Sequence, residues 1–406
     1  MGTKPRIPII VILALTWAAV ADFPVGIEIG PISLSGLMTI CVGAGLALFV
    51  PVLIYRGAGR SLEPNLDPLS GSAKIVTLGF LTFILWAGLR ATHHIGPEGF
   101  QNILVYLIFG VGIGVSAAYS SEAIRVHTAS LVGWVAIVST VVFAGTLLLG
   151  EPVFGRRSYA FVSLILLAVL IPRRDLVSRV SRYAPFVVFV GIALSGSRTA
   201  LALALFLMLF LVVRNRRGKR LVASLVLGVL SAIIAYLLVT EFPPIRDRFV
   251  DVGDNSVVAG ITINTSGRLD FWDLINDSIS TDPIFGHGPG SASEVISASY
   301  FRVGHPHSDY LRIVHDFGWV GMICFALAFV WMTGAIASRV ARTDDPAAWS
   351  GLLVAIVLAI SAVTDNVVVY PFVMLPAAMV LGQALSVAVK PRLASHMRSR
   401  DERLAQ

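Results

Sequence analysis

The sequence predicts an all-α polytopic membrane protein, and three observations carry that assignment. Hydrophobic residues make up 56% of the 406 and charged residues only 14%, with a mean hydropathy of +0.82; both lie far from the average of water-soluble domains. Apolar runs long enough to cross about 30 Å of hydrocarbon recur along nearly the whole chain, and helices are the spanning element such runs imply. Lys and Arg gather between alternate runs, as the positive-inside rule asks of cytoplasmic connections.

About twelve spans are expected, at 7–22, 34–54, 75–89, 100–119, 128–149, 158–171, 184–197, 199–213, 221–240, 317–337, 349–367 and 371–389. The first ends near Ala19-Val-Ala21, a pattern that resembles a cleavage site ahead of Asp22; the run is read as an uncleaved signal anchor. A cytoplasmic N-terminus puts Lys4, Arg6, Arg56, Arg60, Lys74, Arg125, the arginines of 172–183, the bases of 214–220, Arg339, Arg342 and the C-terminal tail on the inner side. Both termini are then cytoplasmic. Arg90, Arg156, Arg157, Arg198, Arg246, Arg248, Arg268, Arg302 and Arg312 fall on the outer side, against the bias, and need another reason to exist.

The expected organisation is a transmembrane bundle at 1–240, an extracytoplasmic loop at 241–316, three further spans at 317–389 and a basic tail at 390–406. The net charge of +7 sits in short turns that would face an anionic leaflet, so it points to membrane lipids and not to nucleic acid. Cys41 and Cys324 both fall inside spans, which excludes a disulfide framework or a cysteine metal site and leaves packing as their role.

Function is expected in the outer loop, where glycine, proline and polar residues concentrate. Ser266 suits the N-cap of a helix with Leu269, Trp272, Ile275 and Ile279 along one face, resting on the bundle or the lipid interface. Gly286-His-Gly-Pro-Gly290 then turns the chain, and its three glycines would let backbone approach a ligand closely. The next helix is expected to begin near His305-Pro306, placing His307 in its first turn. There the helix dipole disfavours imidazolium and the free amides favour an anion. A metal set made from His305, His307 and His315 is the poorer reading, because the spacing lacks paired i, i+4 ligands. Asp309 suits a helix cap or a ligand contact.

Arg198, in Leu194-Ser-Gly-Ser-Arg-Thr-Ala-Leu201, sits between two apolar runs. An arginine at a helix centre in the membrane costs roughly 2.5–3.5 kcal/mol on insertion scales, so it is snorkelling, paired or functional. Loop residues 241–316 hold eleven acidic against five basic residues. Individual arginines such as Arg268, and not bulk charge, would therefore have to capture an anion, and guanidinium suits bidentate phosphate binding.

These motifs in order, Leu-Ser-Gly-Ser-Arg-Thr-Ala-Leu, Arg268 with Trp272, Gly-His-Gly-Pro-Gly, His305-Pro-His-Ser-Asp-Tyr-Leu311 and Phe317-Gly-Trp-Val-Gly321, resemble those of the O-antigen ligase/polymerase family. The resemblance implies a GT-C-like, metal-independent, inverting glycosyltransferase without cofactor. It would move a saccharide from a polyprenyl diphosphate carrier to a glycan or lipid acceptor at the outer face. On the matching positions, Arg198 and Arg268 would hold the diphosphate. His307 would be the general base, with His305 the second choice and His315 structural. Arg302, Asp309, Arg312 and Asp365, beside Asn366, are possible substrate contacts, as are His93 and His94. The compact loop favours a polymerase over a ligase, and a transporter of lipid-linked saccharides is the alternative of a different class.

Overall fold

A computed structural model describes residues 14, 28–29, 32–51, 70–96, 98–150, 154–174, 181–214, 256–258, 261–263, 268–299 and 304–386. Spans expected at 7–22, save Ala14, and at 221–240, the proposed cap Ser266, the tail and Arg302 lie outside these residues. The described chain is helical apart from two short antiparallel ladders, Glu28–Ile29 with Ile32–Ser33 and Ser256–Val258 with Ile261–Ile263.

The helices run in the order α1 (Leu34–Ala47), α2 (Gly71–Ala91), α3 (Gly99–Ala118), α4 (Glu122–Leu148), α5 (Arg156–Leu170), α6 (Ala184–Ser195) and α7 (Arg198–Arg214). Helices α8 (Arg268–Ile279) and α9 (Ser291–Ser299) fall within the segment expected as a loop, and α10 (Asp309–Thr343), α11 (Pro346–Thr364) and α12 (Pro371–Leu385) follow. Five of them, α2, α3, α4, α10 and α11, are long and apolar enough to cross a membrane.

Helix α3 lies among α1, α2 and α12, while α10 packs on α2 and α11, and α5 on α6 and α11. Small and aromatic side chains hold these contacts. Ser116 on α3 donates to the Met379 carbonyl on α12 at 2.7 Å, and Phe83 on α2 meets Tyr106 on α3 and Phe317 on α10 edge to face at 5.2 and 5.4 Å. Cys324 is half-buried on α10, whereas Cys41 is exposed on α1 and does not pack in the described bundle as expected.

The bundle has two different ends. At one, Arg173, 1% exposed, donates to Ser350 and Gln383 at 3.1 and 3.0 Å, while Arg125 and Arg339 share Asp345 at 3.2 and 2.6 Å. At the other end, α5, α7 and α10 begin and α11 stops. That end carries Arg157, Arg198, Arg268 and Arg312, four of the arginines expected on the outer side, and the histidine segment.

Candidate functional site

Four helix starts supply the site. Helix α6 ends on Gly196 in the left-handed region at φ 70°, and Ser197 caps α7, its hydroxyl accepting from Ala200 N at 3.4 Å. The Ser-Gly-Ser sequence is thus a tight stop and restart that makes Arg198 the first residue of α7. Arg157 is the second residue of α5 and Arg268 the first of α8. His307 stands immediately before Ser308, the N-cap of α10.

His307 therefore does not sit in the first helical turn, as the sequence suggested. Ser308 caps from an extended conformation and accepts from Leu311 N, so the helix begins at Asp309. Pro306 belongs to the preceding loop, where its carbonyl accepts from Trp272 Nε1 at 3.0 Å. His307 itself adopts φ 52°, a conformation that non-glycine residues rarely hold without a compensating reason.

The surroundings of the imidazole disfavour its charged form. Burial, followed by the positive charges of Arg157, Arg268 and Arg312 and by His305, pushes its pKa down to about 3. Its Nδ1 lies 3.3 Å from Arg157 Nη1 and 3.4 Å from Asn366 Nδ2. His305 is likewise lowered, by burial first and then by Arg312, with Glu98 and Asp365 opposing. Its Nδ1 is 3.2 Å from Arg312 Nη2 and 3.4 Å from Glu98 Oε2.

The arginines form one group. Arg268 loses proton affinity through burial first, is held up by Asp365, and is pressed down again by Arg157 and Arg198. Like charges are thus collected at helix starts, where a cation already faces the positive end of the helix dipole. An anion is what such an arrangement favours, because helix starts and guanidinium groups both attract negative charge. Arg268 Nε and two nitrogens of Arg312 are buried without a hydrogen-bond partner among the described residues.

Of the expected contacts, Arg312 and Asp365 are buried behind this group, 1% and 2% exposed. Asp365 accepts from Asn366 N at 3.0 Å. Asp309, also 1% exposed, does not cap its helix; it accepts from Val368 N at 2.9 Å and so ties α10 to the turn that carries Asn366. His94 pairs with Glu294 at 2.7 Å. Arg157 and Glu98 were not singled out as site residues. Arg157 carried a signal, since it was one of the outer arginines lacking a topogenic explanation.

The glycine loop is packed closely against neighbouring backbone. Helix α10 is interrupted at Gly318, φ 67° and ψ −177°, where the amides of Trp319 and Val320 turn to the carbonyls of Pro283 and Ile284 at 2.9 and 3.2 Å. A Cβ on Gly286 would strike the Gly318 backbone, one on Gly288 the His94 carbonyl, and one on Gly290 the Gly99 backbone. Asp316 fastens the loop by accepting from Gly290 N and Ala292 N, both at 2.9 Å. His315, 1% exposed, lies within hydrogen-bond distance of Ser278 and Ser291, at 2.9 and 3.1 Å. Helix α8 rests on α9 through Phe271, Ile275, Ala292 and Ile296, with Leu311 of α10 packed against the same cluster, so its apolar face meets the bundle helix α10 as well as the loop helix α9.

Among the described residues, no three His, Cys, Asp or Glu side chains converge as a metal site would need. Beginning at Asp309 and Tyr310, an apolar cavity of about 480 Å³ runs between α10 and α11, past Phe325, Phe329 and Leu358. It gives the polar group an oily neighbour. Residues 184–326 match the family model described as O-antigen ligase. That stretch includes Arg198, Arg268, His305 and His307 and leaves out Arg157 and Asp365. No curated protein matches the chain.

Proposed function

Given that match, which supports an O-antigen ligase/polymerase-like family, we propose that the protein is an extracytoplasmic glycosyltransferase of surface polysaccharide assembly. Its donor is a saccharide on a polyprenyl diphosphate and its acceptor a sugar hydroxyl. One observation carries the reading: Arg157 and Arg198, at two helix starts, bear on Arg268 at a third, and Arg157 reaches His307 Nδ1 at 3.3 Å.

In this mechanism Arg198 and Arg268 bind the diphosphate and stabilise the charge that grows on it as the glycosidic C–O bond breaks. His307 takes the acceptor proton as the new bond forms on the opposite face, which inverts the anomeric centre. The apolar cavity beside Asp309 and Tyr310 receives part of the polyprenyl chain. Protein charges suffice for the leaving group, so no metal or cofactor is invoked. The remaining spans complete a twelve-helix GT-C-like bundle, with both termini in the cytoplasm of a bacterial cell.

Purified protein in nanodiscs, given a labelled polyprenyl diphosphate oligosaccharide, tests this. A ladder of lengthening carrier-linked glycans, lost in His307→Ala, is expected and would make the enzyme a polymerase. Transfer only to an added separate acceptor would make it a ligase. Carrier movement across sealed vesicles without any transfer would replace the reading with a transporter.

A further inference from the structure

We propose that Arg157 is a donor-sensing residue: it occupies the proton-accepting nitrogen of His307 until an anionic donor group draws its guanidinium away. This rests on the transferase reading above and adds an order of events to it.

The argument starts from which groups can donate. Arg157 Nη1 and Asn366 Nδ2 approach His307 Nδ1 at 3.3 and 3.4 Å. Guanidinium has no acceptor, so Nδ1 must present its lone pair and the neutral ring carries its proton on Nε2. The Asn366 amide then turns its NH₂ toward the ring, which agrees with its Oδ1 having no partner among the described residues. The lone pair that would receive an acceptor proton is thus already engaged.

A diphosphate in the arginine group changes this balance. Charge-assisted contacts are roughly twice as strong as neutral ones, so the guanidinium moves toward phosphate oxygen and leaves imidazole. Arg157 is free to make that move because its side chain is exposed at the start of α5. The same anion also screens the charges that face His307: Arg157 from α5, Arg268 from α8, Arg312 from α10 and His305 from its own loop. Glu98 and Asp365 face His305 and already oppose them there. The imidazole then becomes a stronger base as well as an available one.

With donor bound, Nδ1 takes the hydroxyl proton while the acceptor oxygen bonds to the anomeric carbon, and the diphosphate leaves with the electron pair of the broken C–O bond. The imidazolium releases its proton to solvent as the diphosphate departs, and Arg157 returns to Nδ1. Acceptor activation therefore follows donor binding.

The test is ¹⁵N-histidine NMR of the full-length protein in nanodiscs, with His307 assigned through His307→Gln and farnesyl diphosphate as the probe. Without probe, the His307 midpoint should lie well below the ordinary histidine range, with Nε2 protonated in the neutral form. Saturating probe should raise the midpoint by about one to three pH units. In Arg157→Gln the unliganded midpoint should already be higher and the probe-induced rise less than half as large, with the probe still bound through Arg198 and Arg268. An unmoved midpoint in saturated wild type, or an Arg157→Gln protein that shifts as wild type does, overturns the proposal and leaves the transferase reading standing. Failure of the probe to bind at all overturns both.

Discussion

Arg268→Gln separates an arginine kept for a ligand from one kept for the fold. In the ligand-free protein Arg268 is half-buried at the first position of α8, pressed by Arg157 and Arg198 and attracted by Asp365. Removing its charge relieves a cation at a helix start, a gain of about 0.3–1 kcal/mol, and loses the attraction of Asp365, a term of similar size and opposite sign. Glutamine keeps part of the stem and a polar head. The expected change in ligand-free stability is therefore within about 1 kcal/mol in either direction. Binding should respond very differently. A hydrogen bond to a charged group contributes about 1.5–3 kcal/mol, and about 1.4 kcal/mol is tenfold in affinity, so farnesyl diphosphate should bind roughly 10- to 150-fold more weakly. Thermal unfolding in nanodiscs and a titration with the same probe measure the two quantities on one preparation. A variant that unfolds many degrees early yet binds the diphosphate as wild type does would make Arg268 a structural residue and refute the reasoning.

Gly318→Ala should destabilise by about 1–3 kcal/mol from backbone strain alone, because its left-handed φ and the Ile284 carbonyl leave no place for a Cβ; a thermal midpoint equal to wild type would count against the interrupted helix. Arg173→Ala should cost about 1–3 kcal/mol, since it leaves Gln383 without its buried donor and Ser350 without a buried partner, and stability equal to wild type would contradict that. Acidification should weaken the fold through His307. Its folded pKa of about 3 lies below the ordinary value near 6.5, so between these limits the unfolded chain binds the extra proton and stability falls as pH falls. His307→Gln should flatten that part of the stability–pH curve, and an identical acid slope in both proteins would show that the imidazole is not kept neutral by the folded state. Transfer activity should survive a chelator, whereas a strict divalent-ion requirement in the labelled-donor assay would remove the arginine-only leaving-group mechanism.

The helical class, and the approximate places of most described helices, were legible because hydropathy reports directly on what a membrane-spanning segment must bury. Local chemistry was legible where a motif acts through its own neighbours: Ser-Gly-Ser stops α6 and restarts α7, and Arg198 lands at the helix start. It failed where the partner is distant in sequence. Nothing local says that Ser308, and not Pro306, starts α10. The difference arises from Pro306 accepting from Trp272 on α8 and from Asp309 reaching Val368 beyond α11. The glycines of 286–290 read equally well as a ligand cradle or a packing loop until Gly318, His94 and Gly99 supply the backbone they touch. Arg157 is the most instructive case, lying 150 residues from His307 and within 3.3 Å of it. Only a charge that topology could not explain marked it. In a membrane chain, where every misplaced cation is costly, Arg157, Arg198 and Arg268 lacked a topogenic reason and all stand at helix starts, so they should be tested first.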